Sequence, residues 1–84
     1  EYTKGTALKE VARLLNVPCD GILAAGDHWN DMSMLQPDCA QWVVAPANAI
    51  TEVAEYVKSI NGFLAKSDSG LGVLEGLEWA LNDV

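Results

Sequence analysis

Two short apolar runs constrain this chain more than any other feature. Ile22-Leu23-Ala24-Ala25 and Trp42-Val43-Val44-Ala45 carry no charge and no polar alternation, and each is too short for a helix. Gly21 and Gly26 bracket the first, and Pro46 stops the second. A strand that is apolar on both faces must be covered on both, which is the condition of a parallel sheet flanked by helices. The intervening segments supply those helices. Ala7, Leu8, Val11, Ala12, Leu14 and Leu15 recur at helical spacing from Thr6 onward, with Lys9, Glu10 and Arg13 on the other face, so a helix is expected to end near Asn16. Asn30-Asp31-Met32-Ser33-Met34-Leu35 reads as a short helix capped by Asn30, with Pro37 beyond its end. Ile50, Val53, Ala54 and Val57 trace a third helix, with a brief strand at Tyr56-Val57, and Leu71, Leu74, Leu77 and Leu81 trace a last one. Ser59 to Gly70 reads as one long polar loop. Helices and strands in this alternation predict an α/β fold with right-handed crossovers.

At 84 residues the chain has room for one domain, spanning 1–84. A domain of this size buries only about 60–65% of the surface its unfolded form exposes, so its core is thin. The net charge of −7 argues against nucleic acid or an anionic membrane surface as the main partner, and leaves cations and cation-bridged anions. The longest charge-free stretch, Cys39 to Thr51, contains Gln41, Pro46 and Asn48, and does not read as a membrane span. Glu1 opens the sequence with no leader pattern behind it. Cys19 and Cys39 have only His28 for company, too few ligands for zinc and too sparse for a disulfide framework. Both are read as reduced, buried thiols, and a cytoplasmic location follows.

The segment Gly26-Asp27-His28-Trp29-Asn30-Asp31 lies where a buried strand meets a helix start, and in open α/β sheets ligands bind at the carboxyl ends of strands. Asp27 belongs to that edge, and Asn30 and Asp31 are brought back towards it by the first helical turn. Paired carboxylates there suit a hard cation that keeps several waters. The same residues equally suit a helix start, as caps and as charges on its dipole.

Taken together, Lys4-Gly5-x-Ala7-Leu8, Gly26-Asp27-x-x-Asn30-Asp31-x-x-Met34-Leu35, Val44-Ala45-x-Ala47-Asn48-Ala49 and Ala54-Glu55-Tyr56-Val57 resemble the C-terminal part of haloacid dehalogenase (HAD) superfamily phosphatases. The likeness runs from Lys4 to about Leu81 and is greatest to the branch with a large inserted cap, which includes the Cof-type and sucrose-phosphate phosphatases. It implies a three-layer α/β/α Rossmann-like core, of which this chain is a C-terminal piece with a short parallel sheet. It implies that Lys4 neutralises the substrate phosphate and the attacking carboxylate. Asp27 matches the magnesium-binding aspartate and Asp31 the second acidic position beside the metal. Asn30 contacts the phosphate site or orients the lysine, and Asn48 matches a substrate-site asparagine, although Ala47 stands where the family has glycine. His28 is read as an exposed turn residue, Trp29 as bordering the substrate pocket or packing on a neighbour, and Met32 and Met34 as core filler.

The family attacks phosphorus with the first Asp of a D-x-D-x-T/V strand, and no D-x-D occurs in this chain. The resemblance therefore implies that the nucleophile strand and the cap lie upstream of Glu1. The expected activity is magnesium-dependent hydrolysis of a small phosphomonoester, a sugar phosphate, through an aspartyl-phosphate. The alternative is a non-catalytic Rossmann-like binding or assembly module. A homo-oligomer is expected for the chain alone, because the strand at Ile22 to Ala25 would be left with an unpaired edge, unless the upstream portion of the parent covers it.

Overall fold

The computed structural model describes residues 3–82. Its elements are α1 (Lys4–Leu15), a single 3₁₀ turn (Cys19–Gly21), β1 (Leu23–Ala25), a 3₁₀ helix (Trp29–Met34), β2 (Trp42–Ala45), α2 (Thr51–Ser59), β3 (Phe63–Leu64) and α3 (Ser69–Asn82). The strands form a parallel sheet in the order β1-β2-β3, with Leu23 opposite Trp42 and Val44 opposite Phe63.

Side-chain alternation along β2 divides the molecule into layers. Val43 and Ala45 face Val53 and Val57 of α2, together with Ala24, Leu35 and Ala40. Val44 points the other way, against Gly76 of α3, where a Cβ would stand 2.5 Å from both Val44 methyl carbons. Trp42 lies on that second face too, its ring edge-on to Trp79 at 5.6 Å, while Phe63 stacks on Trp79 at 5.4 Å. The α/β class and the three layers are as the apolar runs require. Met32 and Met34 pack against the α2-side core as partly buried filler.

Several local expectations are corrected. Helix α1 starts at Lys4, earlier than the apolar spacing indicates, because the extended Thr3 caps it: the Thr3 hydroxyl accepts from the Thr6 N–H at 3.1 Å. Its end at Asn16 is as expected, in the left-handed region with φ 58°. His28, not Asn30, stands at the cap position of the 3₁₀ helix. Tyr56 and Val57 are helical, inside α2. The third strand is Phe63–Leu64, within the segment expected to be loop, and Asn61 (φ 62°) and Gly62 turn the chain into it. The leucines of α3 do not form its packed face. Leu71, Leu74, Leu77 and Leu81 are exposed, and the buried stripe is Gly72, Gly76 and Ala80.

Both cysteines are free thiols. Cys39 is buried, its Sγ 3.5 Å from the Ser33 carbonyl oxygen and 3.9 Å from that of Gly5. Cys19 is only half-buried, contrary to expectation, because the turn that carries it lies on the surface with Sγ 3.0 Å from the Pro37 carbonyl oxygen. Among the described residues no helix is long and apolar enough to cross a membrane.

Candidate functional site

Asp31 is the hub of the strand-end segment. It is 6% exposed, the one buried charged residue among those described. Its Oδ1 accepts from the Lys4 Nζ at 2.6 Å, and its Oδ2 accepts from the backbone N–H groups of Asp27 at 3.0 Å and His28 at 3.3 Å. Burial alone raises the Asp31 carboxyl, but the Lys4 ammonium and the two backbone donors outweigh it and hold the group below its ordinary range. A carboxylate in this position is therefore ionised at neutral pH. It fixes both a cation and the start of the turn that carries Asp27.

Two glycines let the elements come this close. A Cβ on Gly26 would stand 2.5 Å from the Asp31 Cβ, and one on Gly5 would overlap the Ser33 carbonyl. Gly5 also donates its N–H to the Ser33 Oγ at 2.9 Å, which anchors the first turn of α1 on the 3₁₀ helix and so places Lys4. From the other side, the Ile50 N–H donates to the Asp27 carbonyl at 2.9 Å, tying the start of α2 to the end of β1.

Two open concavities flank the ion pair. One, of 460 Å³, is lined by Thr3, Lys4, Trp29, Asn30 and Ser33. The other, of 220 Å³, is lined by Asp27 and Asp31 with Gly26, Pro46, Ser69 and Val73. Asp27 is exposed at the carboxyl end of β1, so its carboxylate is open to a ligand, whereas both Asp31 oxygens are already engaged. Among the described residues no group of three or more His, Cys, Asp or Glu side chains comes together as a metal cluster. Lys4, Asp27, Asn30 and Asp31 are thus gathered at one edge. Asn48 is not in direct contact with them. Its Oδ1 accepts from the Ser69 N–H at 3.0 Å and its Nδ2 lies 3.5 Å from the Ser69 Oγ, so it borders the smaller concavity through Ser69. His28 is exposed beside the ion pair.

Thr3, Ser33 and Ser69 also shape the site, and the motifs do not include them. Thr3 carries a sequence signal, since a threonine just ahead of an apolar helical period is a capping pattern. Ser33 and Ser69 carry none, because each acts through a partner far away in sequence.

Residues 1–75 match the haloacid dehalogenase-like hydrolase family. The chain belongs to that family. Among its relatives, a phosphoglycolate phosphatase of Methanococcoides burtonii is 36% identical over 80 residues, covering 95% of this chain and 33% of the relative. A phosphoglycolate phosphatase of Sulfurisphaera tokodaii is 37% identical over 82 residues, covering 96% of this chain and 33% of the relative. This haloacid dehalogenase-like chain therefore spans about a third of the length of these curated relatives. No solved structure matches it significantly.

Proposed function

We propose that the protein containing this chain is a cytoplasmic phosphatase that hydrolyses a phosphomonoester of a small metabolite, and that the chain supplies the charge-stabilising half of its active site. The observation that carries the reading is the Lys4–Asp31 ion pair at 2.6 Å, set at the carboxyl edge of β1 beside the open Asp27 carboxylate. The family membership and the phosphatase names of the relatives support it. Those names point to a small phosphorylated acid, and the cap-bearing branch that the motifs resemble points to a sugar phosphate.

Lys4 and Asp31 do complementary work. The Lys4 ammonium, half in water at 51% exposure, faces the larger concavity and offers donors to a phosphoryl oxygen. Asp31 holds that ammonium in place before any ligand arrives, so little reorganisation is needed as charge builds on the phosphoryl group. Asn30, exposed on the same wall, adds an amide donor. The donor set suits magnesium, which binds through one or two carboxylates and keeps several waters. Asp27 is the residue that would hold it, with Asp31 behind as the acceptor that orients the Asp27 backbone. When bound, magnesium would neutralise phosphoryl charge.

The attacking group is a carboxylate from outside these 84 residues, since the chain has no D-x-D. Its oxygen forms a bond to phosphorus, the ester oxygen leaves with the electron pair and takes a proton, and water then cleaves the aspartyl-phosphate to regenerate the carboxylate and release inorganic phosphate.

The test is steady-state kinetics on the full-length protein. Asp27→Ala and Lys4→Ala should each lower kcat by more than ~100-fold with circular dichroism unchanged, whereas His28→Ala costs much less. Wild-type activity in a folded Asp27→Ala or Lys4→Ala variant overturns the site. A full-length protein that hydrolyses no phosphomonoester with magnesium present overturns the enzymatic reading in favour of a binding module.

A further inference from the structure

The chain has three tryptophans, and two of them are packed: Trp42 and Trp79 meet edge to face, with Phe63 stacked on Trp79. Trp29 is different. It is 55% exposed, it opens the 3₁₀ helix, and it lines the 460 Å³ concavity that also contains Lys4 and Asn30. Its position is set by the same contacts that build the ion pair. Asp31, two residues on, is fixed through Lys4 and through the His28 N–H that immediately precedes Trp29.

We propose that Trp29 is a specificity-determining residue of the phosphatase, with its indole face receiving a ring carried by the phosphomonoester while Lys4 receives the phosphate. The inference rests on the function proposed above and goes further by naming the shape of the organic group. An indole exposed at the wall of a concavity whose other described lining residues are Thr3, Lys4, Asn30 and Ser33 offers a flat apolar face and an N–H donor together. The face suits the C–H side of a pyranose or the plane of an aryl group, both of which can cover it. A two-carbon phosphorylated acid is too small to do so. The neighbouring groups are polar and small: Thr3, Asn30 and Ser33 supply hydroxyl and amide functions, so among the described residues the indole is the one large apolar side chain of that wall.

The kinetics of full-length wild type, Trp29→Ala and Trp29→Phe on three substrates test this: glucose 6-phosphate, p-nitrophenyl phosphate and 2-phosphoglycolate. In Trp29→Ala, KM for the ring-bearing substrates should rise about five- to tenfold more than KM for 2-phosphoglycolate, with the change in KM and not in kcat. Trp29→Phe should restore most of the lost affinity, because it keeps a flat face. A loss confined to one ring substrate supports the proposal and identifies the ring as sugar or aryl. Equal loss on all three substrates, a loss in kcat alone, or no rescue by phenylalanine overturns it and leaves Trp29 as a packing residue. Hydrolysis of 2-phosphoglycolate alone by the wild type also overturns it while leaving the phosphatase reading intact. If the wild type hydrolyses none of the three but does hydrolyse another phosphomonoester that carries no ring, this proposal falls and the phosphatase reading stands; only a protein that hydrolyses no phosphomonoester at all overturns both.

Discussion

Asp31 shows how much one buried side chain organises. Its two oxygens serve three donors, and an asparagine there would turn an amide NH₂ towards either the Lys4 ammonium or the backbone N–H groups of Asp27 and His28. We expect Asp31→Asn to cost about 1–3 kcal/mol, read from urea melts of the full-length protein at pH 7. The pH dependence carries the same signature. The folded Asp31 binds its proton less readily than the unfolded one, whose pKa is about 3.9. Its contribution is therefore complete above that value and fades as the pH falls through the lower folded pKa. The wild type should lose stability in that acid window more steeply than Asp31→Asn, and parallel curves would contradict it. The strand-end position of Asp27 is legible in the sequence, because a doubly apolar run that stops at Gly-Asp marks where a buried strand leaves the sheet. The pairing of Lys4 with Asp31 is not, because nothing local links residues that distant; only the resemblance places them in one site. Reading Asn30 as the cap follows side-chain preference, whereas the backbone turns two residues earlier, where Asp31 can reach back to it.

At the scale of elements, α3 packs against the indication of its own periodicity. Its leucines fall at helical spacing and so predict the packed face, yet the helix buries Gly72, Gly76 and Ala80 instead, with Gly76 against Val44 of β2 and Gly72 against Pro46 just beyond it. Small residues every fourth position let a helix backbone approach a sheet closely, and that spacing is visible in the sequence, but apolar bulk is the stronger signal and here it misleads. Two glycines of this one helix should therefore respond to alanine in opposite ways. Gly70 has nothing within 4 Å of a built Cβ, so Gly70→Ala should stabilise by up to about 1 kcal/mol through helix propensity. At Gly76 the new methyl would meet Val44, a fully buried β-branched residue that cannot swing aside. Gly76→Ala should lose about 1–3 kcal/mol despite the gain in propensity. Thermal melts of the two variants decide this, and a stabilised Gly76→Ala would mean that α3 sits less tightly on the sheet. The strands are legible where a run is long enough to show its pattern. The two residues of β3 are too few to show one, and their pairing is dictated by β2.

For the molecule as a whole, surfaces matter more than sequence pattern. Val11, Leu14 and Leu15 of α1 and Leu71, Leu74, Leu77 and Leu81 of α3 lie open, and β1 ends the sheet with one edge unpaired among the described residues. Produced by itself, the 84-residue chain should self-associate, giving light-scattering masses that rise with concentration above 9.0 kDa. A monomer at all concentrations with a cooperative melt would show that its net charge of −7 suffices to keep those faces apart. Cys39 adds a consequence of another kind. Its thiol lies against the carbonyls of Gly5 and Ser33, inside the joint between α1 and the 3₁₀ helix, and burial pushes its pKa up. An alkylating reagent in solution thus meets a group that is both hidden and slow to form thiolate, until α1 lifts away. The modification rate of Cys39, compared with that of half-buried Cys19 in the same tube, is a built-in clock for how often the joint that holds Lys4 against Asp31 comes apart.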